Sequence, residues 1–494
     1  MGKFPGVLIQ NSILAFAAKI VYQFGNAFLF FLIARFYGSE EAGIYTLAVR
    51  YHLIFLTLAI WGLDGLLIWR VAADHSVTLR YIVNYSLLRL LSGIVAYVLL
   101  ALAVSNVRGY NAYTIRVIML LALGLVPEGL GRLAQAVFMA HQRFMYPVIV
   151  AIIVGITRCG LGGLVVWSHG GLETLALVHV WSSLLGLGMY TVLLFLRRYD
   201  LTAAWCSQSE VAGTRWRQLL DWNFMRRQIG LALPFMLMDV FLIVEGQIDI
   251  VVLSLCLSQS QVGIYGAAQT IVLPLSFALY AYHAALYPFV TRLYASNQPY
   301  LWALYQRLFS YTGLLLIPVA IILTVSAQTV VNLVYHTQFI AAATVVPWLV
   351  WSVVLQFLNE PNSRLIVAAG HQKTVTILLC FSMMTNVLLN CLLIPKFGIL
   401  GSAWARLFST LLFTLSNGIT VFYRINRINL LPIVGKPILG AFVWGGILHL
   451  CWPVGMGIGL ILGGMGYLLV LFLTGAISIR SLRHLRQTIC ALLD

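Results

Sequence analysis

In a chain of 494 residues, 61% hydrophobic and only 9% charged, there is too little polar surface to cover a water-soluble fold, so lipid must be the solvent for much of it. The formal net charge of +16 does not mark a nucleic-acid binder, because the basic residues are dispersed between apolar runs and not gathered on one face. Seven cysteines without a CxxC pair, mostly inside apolar runs, read as small hydrophobes and argue against disulfide or metal sites.

A bilayer core about 30 Å thick takes roughly 20 apolar residues per helix. The runs here are too long and too little alternating for a barrel, so they predict an all-α polytopic membrane protein of about fourteen spans. The first run follows Lys3 and contains Ala15-Phe16-Ala17, as a secretory signal would, but it also holds Gln10, Asn11 and Ser12 and continues past Lys19 to Ile33. It therefore reads as a retained helix. Spans are expected near 8–34, 43–69, 81–104, 113–139, 146–167 and 174–196, then 228–256, 262–290, 301–325, 341–369, 374–394, 400–423, 434–452 and 455–475. The long polar stretch lies between the sixth and seventh, Arg197 to Arg227.

Lys and Arg concentrate on the side that holds both termini, at Lys3, Arg70, Arg80, Arg143, the 197–227 loop, Lys373, Arg424 and the tail Arg480, Arg483 and Arg486. The opposite side has Arg35, Arg108, Arg116 and Lys396. By the positive-inside rule, both termini are expected in the cytoplasm.

Two short matches recur at nearly one offset. Ser39-Glu-Glu-Ala-Gly43-Ile-Tyr45 returns as Gln259-Ser-Gln-Val-Gly263-Ile-Tyr265, and Ala140-His141-Gln142-Arg143 as Gly370-His371-Gln372-Lys373. They fall at equivalent places in the span count, which predicts two six-helix lobes related by an internal repeat plus two C-terminal helices. The expected domains are an N-lobe over 1–199, a cytoplasmic basic linker over 200–227, a C-lobe over 228–424, and 425–494 with the last two spans and a basic tail.

Inside the spans lie Lys19, Arg50, Arg89, Arg132, Arg158, Arg307, Arg364 and Arg406, with Asp64, Glu128, Asp239, Glu245, Asp249 and Glu360. Each costs roughly 2.5–3.5 kcal/mol at a helix centre on insertion scales, so they must pair, line a watery cavity or sit near an interface. Glu128 with Arg132 and Glu360 with Arg364 are i, i+4 and predict intrahelical pairs. Glu245 and Asp249 share a helix face by the same spacing, a pattern suited to a proton or a cation such as Na+ for coupling, with placement near an interface as the alternative for Asp249. Lys19 and Asp239 are separated by the repeat offset, which puts opposite charges at matching depth on equivalent helices. Pro127, Pro234, Pro274, Pro318, Pro347 and Pro361 are candidate bending points. His141 and His371, in short turns, read as solvated loop histidines. No GxSxG, P-loop, HExxH or EF-hand pattern is present, so no catalytic or metal residues and no cofactor are expected.

The segment Phe36-Tyr-Gly-Ser-Glu-Glu-Ala-Gly43-Ile-Tyr45, with the 6+6 halves and the HQR/HQK turns, resembles the polysaccharide exporter branch of the multidrug/oligosaccharidyl-lipid/polysaccharide (MOP) exporter superfamily. The resemblance implies a flippase, not an enzyme, that carries undecaprenyl-diphosphate-linked oligosaccharide across a bacterial inner membrane by alternating access. A MATE-type drug/cation antiporter and a lipid II flippase are the alternatives within the superfamily. Expected partners are the lipid-linked oligosaccharide, membrane lipids and a glycan polymerase, for a monomer that binds no nucleic acid. Guanidinium groups suit a diphosphate. Lys19, Arg50, Arg89 and Arg307 are accordingly the expected substrate-binding cations, with Asp64, Asp239, Glu245 and Asp249 as coupling or gating carboxylates.

Overall fold

The computed structural model describes the backbone of residues 4–196, 220–295, 300–335, 337–427, 431–451 and 455–475, with side chains from Phe24 onward apart from scattered positions in 280–303 and 431–456. The Lys19 side chain, most of the expected 200–227 linker and the tail arginines lie outside the described residues.

The described residues are helical throughout their ordered elements. The chain runs through α1 (Phe4–Ile60), α2 (Leu63–Ala73), α3 (Thr78–Ser105), α4 (Ala112–Ala122), α5 (Leu125–Ala140), α6 (Met145–Trp167) and α7 (Gly171–Leu196). It continues through α8 (Trp222–Cys256), α9 (Gln259–Ala295), α10 (Tyr300–Val325), α11 (Ala327–Tyr335), α12 (Ala342–Ala368), α13 (Gln372–Phe397), α14 (Ile399–Arg424), α15 (Leu431–Cys451) and α16 (Met456–Leu473). Among the described residues, eleven helical stretches are long and apolar enough to cross a membrane, and α15 and α16 add two shorter apolar ones. Because α1 breaks at Gly38, where φ is 88°, it supplies two spans, and the total agrees with the sequence reading.

The chain divides into two compact units. The first is Met1–Thr270 with Val334–Phe339 and Met383–Ser402; the second is Ile271–Leu333 with Ile340–Ser382 and Ala403–Asp494. The first therefore extends past residue 227 and takes in α8 and the start of α9. Burial is inverted relative to a soluble protein. On α3, Leu91, Ile94, Val95, Val98 and Leu102 are exposed, while Asn84, Tyr85 and Arg89 are buried. Lipid accepts the apolar face, and the polar groups must find partners inside.

In the first unit, α2 and α5 meet α3 and α8 through Leu63, Leu67, Tyr85, Leu133, Val137 and Ala232. In the second, Tyr305, Phe309, Leu365, Ile366 and Val421 form one core. Trp444, Leu448, Tyr467 and Leu471 of α15 and α16 close on Ile317 and Ile321 of α10, and Tyr467 donates to the Gly313 carbonyl at 3.1 Å. The two C-terminal helices thus pad this unit.

Two expected spans are not single helices. The one drawn over 43–69 breaks at Trp61 and Gly62, with φ of 55° and 64°, and the one over 113–139 breaks at Leu123-Gly124. No proline lies at the Trp61-Gly62 break, whereas Pro127 falls four residues after Leu123, so it has no N–H for the Leu123 carbonyl and its ring crowds that oxygen, as expected of a bending point. Pro234, Pro318, Pro347 and Pro361 lie inside helices that run on. Gly62 is required because a Cβ there would come within 2.5 Å of the Met236 backbone N on α8.

Candidate functional site

The two breaks create two helix N-termini in the interior of the first unit, and each has a carboxylate in its first turn: Asp64 on α2 and Glu128 on α5. Unpaired N–H groups and the helix dipole favour a negative charge at such a position. Arg89 reaches both segments, ion-paired with Asp64 and donating to the Gly129 carbonyl at 2.5 Å. Its side chain is 0% exposed. The sequence offered Arg89 as a cavity cation and Asp64 as a gating carboxylate. In the structure they neutralise each other and brace the broken spans.

Glu128 does form the expected pair with Arg132, at 3.6 Å through Oε1. Its other oxygen faces two histidines that the sequence reading did not single out. His52 donates from Nε2 to Oε2 at 3.0 Å, and His179 Nε2 lies 3.8 Å from the same atom. The rings meet edge to face with centroids 4.8 Å apart. Gly124 permits this approach, since a Cβ there would stand 3.2 Å from the His179 ring and 3.4 Å from the His52 ring. Both histidines are buried, and His179 Nε2 and His52 Nδ1 have no hydrogen-bond partner. Behind His179, buried Arg158 donates from Nε to Ser182 Oγ at 3.1 Å. Of Arg50, Arg89, Arg132 and Arg158, only Arg132 is exposed, at 43% of its side chain. Exposed Asp239 on α8 lies within electrostatic range of Arg132 and Asp64. Each histidine is isolated in an apolar run, and the signal that could have found them is the cost of an imidazole in a span, applied as it was to the charges.

A second polar set lies near the other end of α8. Arg50 donates to Gln247 Oε1 at 2.6 Å and Gln269 Oε1 at 2.8 Å, while Gln269 donates onward to Asp249 at 3.0 Å. Asp249 is 0% exposed and also accepts from the Tyr265 hydroxyl at 2.9 Å. It therefore belongs to a helix-bridging network, and Glu245, one turn away, is half-buried. Just beyond, the repeated motif packs on itself. A Cβ on Gly43 would strike the Gln259 carbonyl, one on Gly263 would strike the Ser39 carbonyl, and Ser39 and Ser260 hydroxyls are 2.6 Å apart. Gln259 is the repeat equivalent of Ser39, so the contact is reciprocal, as around a two-fold axis.

In the second unit, Arg364 donates to Glu360 at 3.1 Å, the expected intrahelical pair. Around it lies a neutral cluster: Asn417 donates to Asn359 at 2.9 Å, and Tyr305 donates to Asn362. Arg307 is exposed on α10.

On the basic turns, His371 is exposed as expected, but His141 is not simply solvated. It stacks on His75 at 4.4 Å and contacts Thr78 Oγ1 at 3.2 Å. Burial, then the neighbouring His75 and Arg143, pushes its pKa down to about 4, so it is neutral at physiological pH.

Residues 8–294 match the profile of a family described as polysaccharide biosynthesis protein, and residues 234–392 match MatE. An uncharacterized membrane protein of Methanocaldococcus jannaschii is 26% identical over 137 residues, a stretch spanning 27% of this chain and 27% of that protein. Among solved structures, the lipid II flippase MurJ in an inward closed conformation aligns with a TM-score of 0.69 at 16% identity, covering 96% of this chain and 99% of that one. An inward-facing multidrug resistance MATE transporter of the MOP superfamily aligns at 0.66 and 13% identity, covering 83% and 98%. A MOP superfamily transporter from Pyrococcus furiosus, described by a binding pocket of reversed polarity, aligns at 0.53 and 14% identity, covering 84% and 95%. At these identities the likeness is one of fold.

Proposed function

Because the chain belongs to the polysaccharide biosynthesis protein family and has the multi-pass fold of the MOP exporters, we propose that it is a flippase for an undecaprenyl-diphosphate-linked oligosaccharide. It acts by alternating access in a bacterial cytoplasmic membrane, with both termini in the cytoplasm, and delivers repeat units to a glycan polymerase. The observation that carries this reading is the family match over residues 8–294, the part of the chain that holds the intramembrane arginines of the first unit. Arg132, the exposed one among them, takes the role of diphosphate contact expected of Arg50 and Arg89, with Lys19 and Arg307 as further candidates.

The test is depletion of the protein followed by measurement of lipid-linked saccharide on each leaflet. The expected result is accumulation of an oligosaccharide diphosphate lipid on the cytoplasmic leaflet; an unchanged distribution would refute the assignment. The MatE match over 234–392 favours a second reading, a drug or cation exporter. In that case the protein should confer drug tolerance that disappears on removal of Asp239, Glu245 or Asp249. Rescue of a peptidoglycan-flipping defect would instead identify a lipid II flippase.

Alternating access also requires the reciprocal glycine contact to open. A Ser39→Cys/Ser260→Cys pair replaces hydroxyls 2.6 Å apart and should crosslink, stopping flipping until a reductant is added. Full activity of the crosslinked protein would remove this contact from the cycle.

A further inference from the structure

We propose that His52, Glu128 and His179 form a proton-binding site whose occupancy is linked, through Glu128, to the binding of an anion at Arg132. The anion side of this linkage rests on the lipid-diphosphate reading; the proton side does not. The geometry is asymmetric. Glu128 Oε2 already accepts from His52, and His179 Nε2 lies 3.8 Å from that oxygen, buried and without a hydrogen-bond partner. A proton on His179 Nε2 makes it a donor aimed at a carboxylate that needs less than an ångström of approach to form a charge-assisted bond. Gly124 keeps the space between the rings clear.

Glu128 is also the partner of Arg132, the exposed guanidinium of the set. An anion that binds Arg132 competes with Glu128 for it. The carboxylate then loses part of its compensation in a low-dielectric interior, and an imidazolium at His179 or His52 restores it. Anion binding therefore draws in a proton, and by reciprocity acidification strengthens anion binding.

The surrounding charges bound the effect. Arg158 on α6 opposes a charge on His179, and Asp239 on α8 lies within range of both Arg132 and Asp64. Arg89 on α3 is neutralised by Asp64, and Arg116 on α4 pairs with Glu173 at the start of α7. The three donor atoms lie within 4.8 Å of one another, which would also suit a divalent metal. Charge decides against the metal: Glu128 is the one carboxylate among the donors and is already shared with Arg132, and Arg158 opposes further positive charge at His179. One proton adds half the charge that a divalent ion would.

The test uses the full chain in detergent with geranyl diphosphate as a soluble isoprenyl diphosphate. Calorimetry at pH 6 to 8, in buffers of different ionisation heat, counts the protons taken up on binding. The wild type should take up a fraction of a proton and bind several-fold more tightly at pH 6 than at pH 8. His179→Gln, His52→Gln and Glu128→Gln should abolish the uptake and flatten the pH dependence, while His371→Gln on the exposed turn leaves both intact. Undiminished uptake in the His52 and His179 variants would overturn the proposal. So would stoichiometric Zn2+ in the wild type that is lost in those variants, which assigns the cluster to a metal. If geranyl diphosphate does not bind, the diphosphate reading fails, and the proton site is judged by titrating the ligand-free protein from pH 8 to 5. The wild type should then take up more protons than His52→Gln/His179→Gln, and equal uptake would refute the site.

Discussion

The pairs Glu128–Arg132 and Glu360–Arg364 occupy corresponding helices of the sequence repeat and share i, i+4 spacing, yet their surroundings differ in kind. The first sits at a broken helix end among two histidines and Arg158; the second lies on a continuous helix beside asparagine, serine and tyrosine. The first set contains two imidazoles, which the proposal above makes a proton site, while the second is built around neutral side chains. A duplicated scaffold can thus retain a motif while one copy becomes responsive and the other stays fixed.

The largest expected effect comes from breaking the brace beneath the responsive copy. Arg89→Met leaves Asp64 without its cation and the Gly129 carbonyl without its donor, and because Asp64 is partly exposed the loss should lie at the low end of the about 3–5 kcal/mol for breaking a buried pair. Thermal unfolding in detergent should show a drop well beyond that of Arg364→Met, whose pair is simpler; equal losses would mean that the broken spans do not depend on Arg89. Next is the neutral copy. Asn417→Leu removes the donor to Asn359 and should cost about 1–3 kcal/mol, by the same amount at pH 5.5 and pH 8. A pH-dependent loss there would erase the distinction between the copies.

Gly124→Ala places a methyl group 3.2 Å from the His179 ring, so stability should fall by about 1 kcal/mol or more, with a loss that differs between pH 5.5 and pH 8 because the histidines are pushed apart. Melting curves at the two pH values check it, and parallel curves would count against a titrating cluster. The smallest effect belongs to Asp221, the N-cap of α8, whose carboxyl is held below the usual carboxylate range by the Phe224 N–H and by Arg80. Its lowered pKa stabilises the fold above the ordinary carboxylate pKa and loses that contribution as pH falls through the folded value. Asp221→Asn should therefore matter at neutral pH, vanish in strong acid and weaken with added salt. A salt-independent loss would show that the cap alone operates.

Much of this was legible in the residues. Apolar runs announced the spans because a bilayer leaves no alternative to intrahelical hydrogen bonding. The Gly-Ile-Tyr match marked a repeat that the structure expresses as reciprocal glycine contacts at Gly43 and Gly263. Both i, i+4 pairs could be read because their geometry is local. The roles of Arg50, Arg89 and Asp249 could not, since their partners Gln247, Gln269, Asp64 and Tyr265 come from other helices or distant positions. His52 and His179 escaped for the same reason: their partner Glu128 is distant from both in sequence.

The sequence by itself determined that the chain spans a membrane, how many times it does so, and that its two halves are related, because these follow from run length and periodicity against a fixed solvent. Only the tertiary structure decided which intramembrane charges are already neutralised and which carboxylate meets two imidazoles. Those outcomes depend on the breaks at Trp61-Gly62 and Leu123-Gly124, which bring Asp64 and Glu128 to helix ends within reach of Arg89, His52 and His179.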